Sequence, residues 1–221
     1  MQRAYDQILH DVCIQNLPVV FCIDRAGVVG ADGQSHQGVF DISYLRHIPN
    51  LTLLSPKDTT ELRETLRYAI SLNSPVAIRY PNGEEIVFDK HTPFSSDNLW
   101  ETVMDGNQAT ILACGGRMVN LALEVAKKSN KSVKVVNARS VKPLDEKLLL
   151  SIKTPIITLE DNVIQGGFGS SVLEFYAKNK TQVNLTPFGI KDEFVKHASV
   201  EAQLKQNGLD VENILEFIGK I

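Results

Sequence analysis

The chain has 221 residues, of which 43% are hydrophobic and 22% charged, with a formal net charge of −3. That is long enough for one large or two small domains, each with its own core. The composition excludes a basic nucleic-acid-binding stripe, an acidic disordered tail and any apolar run near the roughly 18 residues that span a membrane.

The opening MQRAYDQILHD has neither the apolar core nor the cleavage site of a signal peptide. Residues 2–15 are predicted to be a helix with Ala4, Ile8, Val12 and Ile14 on or near one face. Pro18 ends it, and Val19–Asp24 follows as a buried strand. Leu51–Leu54 is a second strand, Asp58 or Thr59 caps a helix running to about Leu72, and Pro75–Tyr80 is a third strand. Polar, Pro- and Gly-containing residues 84–108 read as a linker with room for one short strand.

A second alternation begins at Ala109–Gly115, a strand ending in a double glycine. Helix 118–128, strand 133–137, helix 144–152 and strand 155–159 come next. Gly166–Gly169 opens a helix to about Lys178, and a strand near 183–185 and a helix near 211–218 complete the chain. Strands alternating with helices predict an α/β fold of two domains, each with a mainly parallel sheet flanked by helices: residues 1–83 and 109–221, joined by 84–108. Cys13, Cys22 and Cys114 show no ligand spacing, so buried thiols in a reducing, cytoplasmic compartment are expected.

The informative stretch is residues 24–38, DRAGVVGADGQSHQG. It follows the carboxyl end of a predicted parallel strand, where open α/β sheets place their ligands. Arg25 offers a guanidinium that suits phosphate, Asp32 a carboxylate, and His36 an imidazole that moves protons near neutral pH. A glycine-rich surface loop without function is the competing reading. Gly30–Gly33 is not a phosphate cradle, since no helix is predicted directly after it; Gly166–Gly169 does precede one, although close packing of that helix explains it as well.

Residues 2–7 (QRAYDQ), 24–38, 78–83 (IRYPNG), 139–145 (RSVKPLD) and 160–169 (EDNVIQGGFG) closely resemble the deoxyxylulose-phosphate synthase branch of the transketolase-like, thiamine-diphosphate-dependent enzymes. Single blocks are shared with transketolases and with 2-oxo-acid dehydrogenase β subunits; the combination is more specific. The resemblance implies a truncated pyrimidine-binding domain followed by a transketolase-type C-terminal domain. It also implies a reaction that joins pyruvate to glyceraldehyde 3-phosphate with loss of CO2, in a homodimer.

Carried over by position, Arg25 and Arg79 match phosphate-binding arginines, His36 and Asp32 match active-site residues, and Arg3 matches a residue lining the cofactor's aminopyrimidine pocket. Each charge-assisted contact to phosphate contributes on the order of 1.5–3 kcal/mol. His10, His47, His91 and His197 match nothing catalytic and read as structural or surface residues. The family's catalytic glutamate and its magnesium motif match nothing here. The resemblance therefore implies thiamine diphosphate and Mg2+ in a full-length enzyme, and a fragment that binds neither well and is inactive alone. A dehydrogenase β subunit and a non-catalytic scaffold are the competing expectations.

Overall fold

Hydrophobic, β-branched runs at Val20–Ile23 (β1), Thr52–Leu54 (β2) and Val76–Arg79 (β3) pair in parallel in the spatial order β1-β3-β2. The computed structural model describes residues 1–30, 32–83 and 86–221; Ala31 of the glycine-rich stretch and Glu84 and Glu85 at the start of the expected linker lie outside the described residues. A second sheet holds Glu101–Met104 (β4), Ala109–Cys114 (β5), Val133–Asn137 (β6), Ile156–Val163 (β8) and Leu185–Ile190 (β9). Its order is β4-β6-β5-β8-β9, parallel except for β4. The expected linker thus contains a strand that belongs to this second sheet. Ser140–Lys142 (β7) leaves the second half of the chain and adds an antiparallel strand to the first sheet, beside β2.

Helices cover these sheets: Tyr5–Gln7 (α1), Asp41–Leu45 (α2), Thr59–Ser71 (α3), Gly116–Lys128 (α4), Glu146–Ser151 (α5), Phe168–Lys178 (α6), Val200–Gln206 (α7) and Val211–Lys220 (α8). Asp58, Asp145, Ser199 and Asp210 each cap a helix by accepting a backbone N–H. Two details differ from the sequence reading. The first segment is helical, but α1 is followed by a π-helical stretch, Ile8–Cys13. Its i→i+5 bonding shifts the inward face, so Ile8 and Cys13 are buried while Ile14 is 63% exposed. Cys22 is exposed as well, because β1 is the edge strand of its sheet, whereas Cys13 and Cys114 are buried.

One apolar core draws on both sheets, with Leu53 and Ala77 of the first packed in the same cluster as Leu112 and Val136 of the second. Trp100, in the same core, donates its indole N–H to the Ser140 carbonyl at 2.7 Å. Beside this core runs a buried chain of charges. The Arg139 guanidinium donates to Glu61 at 2.8 Å, Asn137 donates to both Glu61 oxygens at 3.0 and 3.1 Å, and Lys57 donates to Glu101. All five residues are at most 4% exposed. Glu61 and Lys57 belong to the segment that builds the first sheet, whereas Glu101 and Asn137 lie on strands of the second, so the network joins the two sheets as well as filling space.

Removing one member of such a network strands its partner in a low-dielectric interior. Glu61→Ala is expected to cost about 3–5 kcal/mol in urea unfolding, since it leaves Arg139 without its carboxylate. A loss below about 1 kcal/mol would show that the carbonyls of Thr92, Pro93 and Asn98, which Arg139 also contacts, suffice to hold its charge.

Candidate functional site

Residues 24–38 leave the carboxyl end of β1, beside the end of β3, because Ile23 and Arg79 are register partners. The stretch closes on itself. Gly27 and Gly38 exchange two backbone hydrogen bonds, at 2.7 and 2.8 Å, and the Gln37 side chain accepts from Val29 N–H at 2.8 Å. Val28 and Val39 anchor its two arms in the core. The tip is held from the other half of the chain: Gln203 of α7, fully buried, accepts from Gly30 N–H and donates to the Gly30 carbonyl. Arg117 of α4 donates to the Val28 carbonyl at 2.7 Å and to the Asn82 carbonyl at 2.8 Å.

Arg25 and His36 line one pocket of about 300 Å³, together with Met1, Gln2, Asp41 and Tyr44 among others. Asp32 lies 3.5 Å from the Arg25 guanidinium, and the His36 ring is bonded to Ser35 at 3.0 Å. Arg3 sits exposed in the turn at Gln2–Ala4. Two larger depressions, of about 580 and 380 Å³, run along α4 and share Arg117 and Val200, but neither carries the loop's titratable groups.

Arg79 is placed differently from Arg25. It is 1% exposed and lies one layer beneath the pocket, with both terminal nitrogens on Asp161 Oδ1 at 3.2 and 3.3 Å. Its Nε is 4.0 Å from Asp41 Oδ2. Burial alone would lower the arginine's pKa; Asp161 and Asp41 outweigh it and raise it instead. Asp41 is itself held above the usual carboxylate range by burial, against the opposing pull of Arg79 and of the Tyr44 hydroxyl that donates to it at 2.9 Å. The second sheet also grips α2 directly, since Asn162 accepts from Ile42 N–H at 3.1 Å and donates to Ser43.

The helix start within Gly166–Gly169 is filled by an internal carboxyl group. Glu160 accepts from Phe168 N–H at 2.7 Å and Gly169 N–H at 2.8 Å, filling the position an external phosphate would take. It is fully buried, and burial pushes its carboxyl up to about 8 despite those donors. His47 bonds Tyr5, and His91 bonds Glu64, as structural histidines do.

Arg117, Asp161 and Gln203 were not legible as parts of this site. For Asp161 a signal existed: Glu160-Asp161-Asn162 continues an otherwise apolar buried strand, and charge there must be met by buried partners.

Comparisons with known proteins agree with this architecture. Residues 1–84 match the family described as transketolase, pyrimidine binding domain, and residues 99–214 match transketolase, C-terminal domain. Curated relatives include a 1-deoxy-D-xylulose-5-phosphate synthase from Clostridium tetani, 48% identical over 100% of this chain and 37% of its own length. Another, from Caldanaerobacter subterraneus, is 46% identical over 99% of this chain and 36% of its own length. The chain therefore spans a little over a third of the length of these relatives. Among solved structures, one titled as a split gene transketolase, inactive beta4 tetramer, matches with a TM-score of 0.84 at 27% identity, covering 99% of this chain and 71% of that one. A Campylobacter jejuni transketolase, at 21% identity and a TM-score of 0.72 over 91% of this chain and 31% of that one, shares the fold.

Gly27 marks where the two halves touch. Its φ is +79°, and an added Cβ would fall 1.9 Å from Asp161 Oδ2. Gly27→Ala combines a left-handed backbone penalty with displacement of a buried carboxylate, so it is expected to cost at least about 2 kcal/mol in chemical unfolding. A cost under about 1 kcal/mol would mean that the loop and Asp161 move apart freely.

Proposed function

The chain belongs to the transketolase family, and from that membership we propose that it forms the acceptor-binding portion of a 1-deoxy-D-xylulose-5-phosphate synthase. The reaction joins pyruvate to glyceraldehyde 3-phosphate with loss of CO2, and thiamine diphosphate, as cofactor, supplies the electron sink. The names of the curated relatives support this reading. The observation that carries it in the structure is the pocket at the carboxyl edge of β1 and β3, where a guanidinium and an imidazole face one small space.

In this reading Arg25, oriented by Asp32, meets the phosphate of the acceptor aldehyde. His36 bonds its oxygens or carries a proton. Arg79 supplies positive charge from one layer below, and would reach the phosphate directly only on leaving Asp161. Arg3 belongs to the aminopyrimidine side. Among the described residues no group of three or more His, Cys, Asp or Glu is placed to hold a metal ion. We assign the metal and the diphosphate to other residues of a longer or assembled enzyme, with copies of this chain paired as in a homodimer; on that basis this chain alone is inactive. A 2-oxo-acid dehydrogenase β subunit would leave Arg25 without a phosphate to meet, and a scaffold would have no use for the Arg25, Asp32 and His36 set.

Steady-state kinetics on the complete enzyme tests the assignment. Arg25→Ala is expected to raise KM for glyceraldehyde 3-phosphate about tenfold or more while leaving KM for pyruvate within about twofold. Equal effects on the two substrates would remove Arg25 from the acceptor site. The 221-residue chain by itself is expected to show no turnover, and micromolar binding of thiamine diphosphate to it would contradict the division of labour proposed.

A further inference from the structure

Between two buried points of the glycine-rich loop, Gly30 and Gln37, residues 32–36 are exposed or half-buried. Among the described residues, the hydrogen bonds and the ion pair of 32–36 stay inside the loop. Asp32 meets Arg25 at 3.5 Å, Ser35 meets His36 at 3.0 Å, and His36 N–H donates to the Gly33 carbonyl at 3.3 Å. Where these residues lie is therefore decided at the two ends. At the Gln37 end the ties are again internal, to Val29 and through Gly38 to Gly27. At the Gly30 end the tie is external. The Gln203 amide oxygen accepts from Gly30 N–H at 3.0 Å, and its Nε2 donates to the Gly30 and Lys196 carbonyls, each at 2.9 Å.

Gln203 is 0% exposed, and an apolar side chain of the same volume would serve packing alone. An amide there instead takes both backbone polar groups of one loop residue and joins them to the segment before α7. We infer that Gln203 is a positioning residue for the acceptor: by pinning Gly30 it holds Asp32 and His36 in the one arrangement that a phosphorylated aldehyde meets beside Arg25. This rests on the proposed function and deepens it, since it hands control of the acceptor loop to a residue of the second half of the chain. The physical ground is a population argument. A loop that samples several arrangements binds in one of them, and its apparent affinity falls by the fraction of molecules in that arrangement. Saturating ligand restores the arrangement, so the loss falls on KM and spares kcat.

Gln203→Met keeps the volume and removes all three hydrogen bonds. In the complete enzyme it is expected to raise KM for glyceraldehyde 3-phosphate about five- to twentyfold, with kcat and KM for pyruvate within about twofold of wild type. Hydrogen exchange followed by mass spectrometry gives a readout that needs no turnover. The wild type is expected to protect the Gly30 amide well beyond those of 32–36, and the variant to exchange it at least about tenfold faster. Faster exchange with an unchanged KM for glyceraldehyde 3-phosphate overturns the inference. So does an equal loss on both substrates, which marks general destabilisation, and so does unchanged exchange in the variant. If the variant does not fold, the wild type decides: a Gly30 amide exchanging as fast as those of 32–36 overturns the pin, and a protected one supports it. A wild type that does not join pyruvate to glyceraldehyde 3-phosphate overturns the underlying reading of the reaction, and the role of Gln203 toward the acceptor with it.

Discussion

The site depends on one buried ion pair, that of Arg79 at the end of β3 with Asp161 on β8. Both residues are at most 5% exposed, so neither charge is tolerable alone. Their contact forces the carboxyl ends of two different sheets together. Everything that shapes the pocket is referred to that junction. Gly27 rests against the Asp161 carboxylate, Arg117 reaches from 3.8 Å of it to the Val28 carbonyl, and Asp41 approaches Arg79 from the pocket side. A loop rich in glycine would otherwise be free to sample many shapes. Here it is gripped at its base, its arms and its tip by side chains from the other half of the chain.

Such a junction is a poor device for stability alone. Burying several charges costs desolvation, and well-packed apolar residues of similar volume would often serve as well or better. Its use is in placement. The Glu61, Arg139, Lys57 and Glu101 network and the shared apolar core set how the sheets lie against each other. The Arg79 and Asp161 pair then carries that geometry to the carboxyl edge of the first sheet. The Arg79 charge stays buried beneath the pocket, paired with Asp161 and close to Asp41.

Much of the fold was legible from the order of residues. Buried parallel strands read as continuous apolar runs, so β3, β5 and β6 stand where the pattern placed them. Asp58 marked the start of α3 through its cap. Short elements were not legible: β7 has three residues and draws its stability from pairing with β2, and α2 has five. Ile14 and Cys22 escaped because a π-helical stretch and an edge strand are tertiary outcomes. At the site, the loop chemistry of Arg25, Asp32 and His36 lay in one stretch and could be read directly. The partners of that stretch could not, since Asp161 and Gln203 lie more than a hundred residues away in the chain. Arg79 is the instructive case: its position at a strand end was evident, but its burial between two carboxylates is a property of the assembled sheets.

Arg79 and Asp161 act as one unit joining the two halves. A double-mutant cycle by urea unfolding, with Arg79→Ala, Asp161→Ala and the two combined, measures this directly. Each single change is expected to cost about 3–5 kcal/mol, and the double little more than the larger single, a coupling of at least about 2 kcal/mol. Costs that add to within about 0.5 kcal/mol would show that the two charges are held independently, and that the junction is not what organises the site.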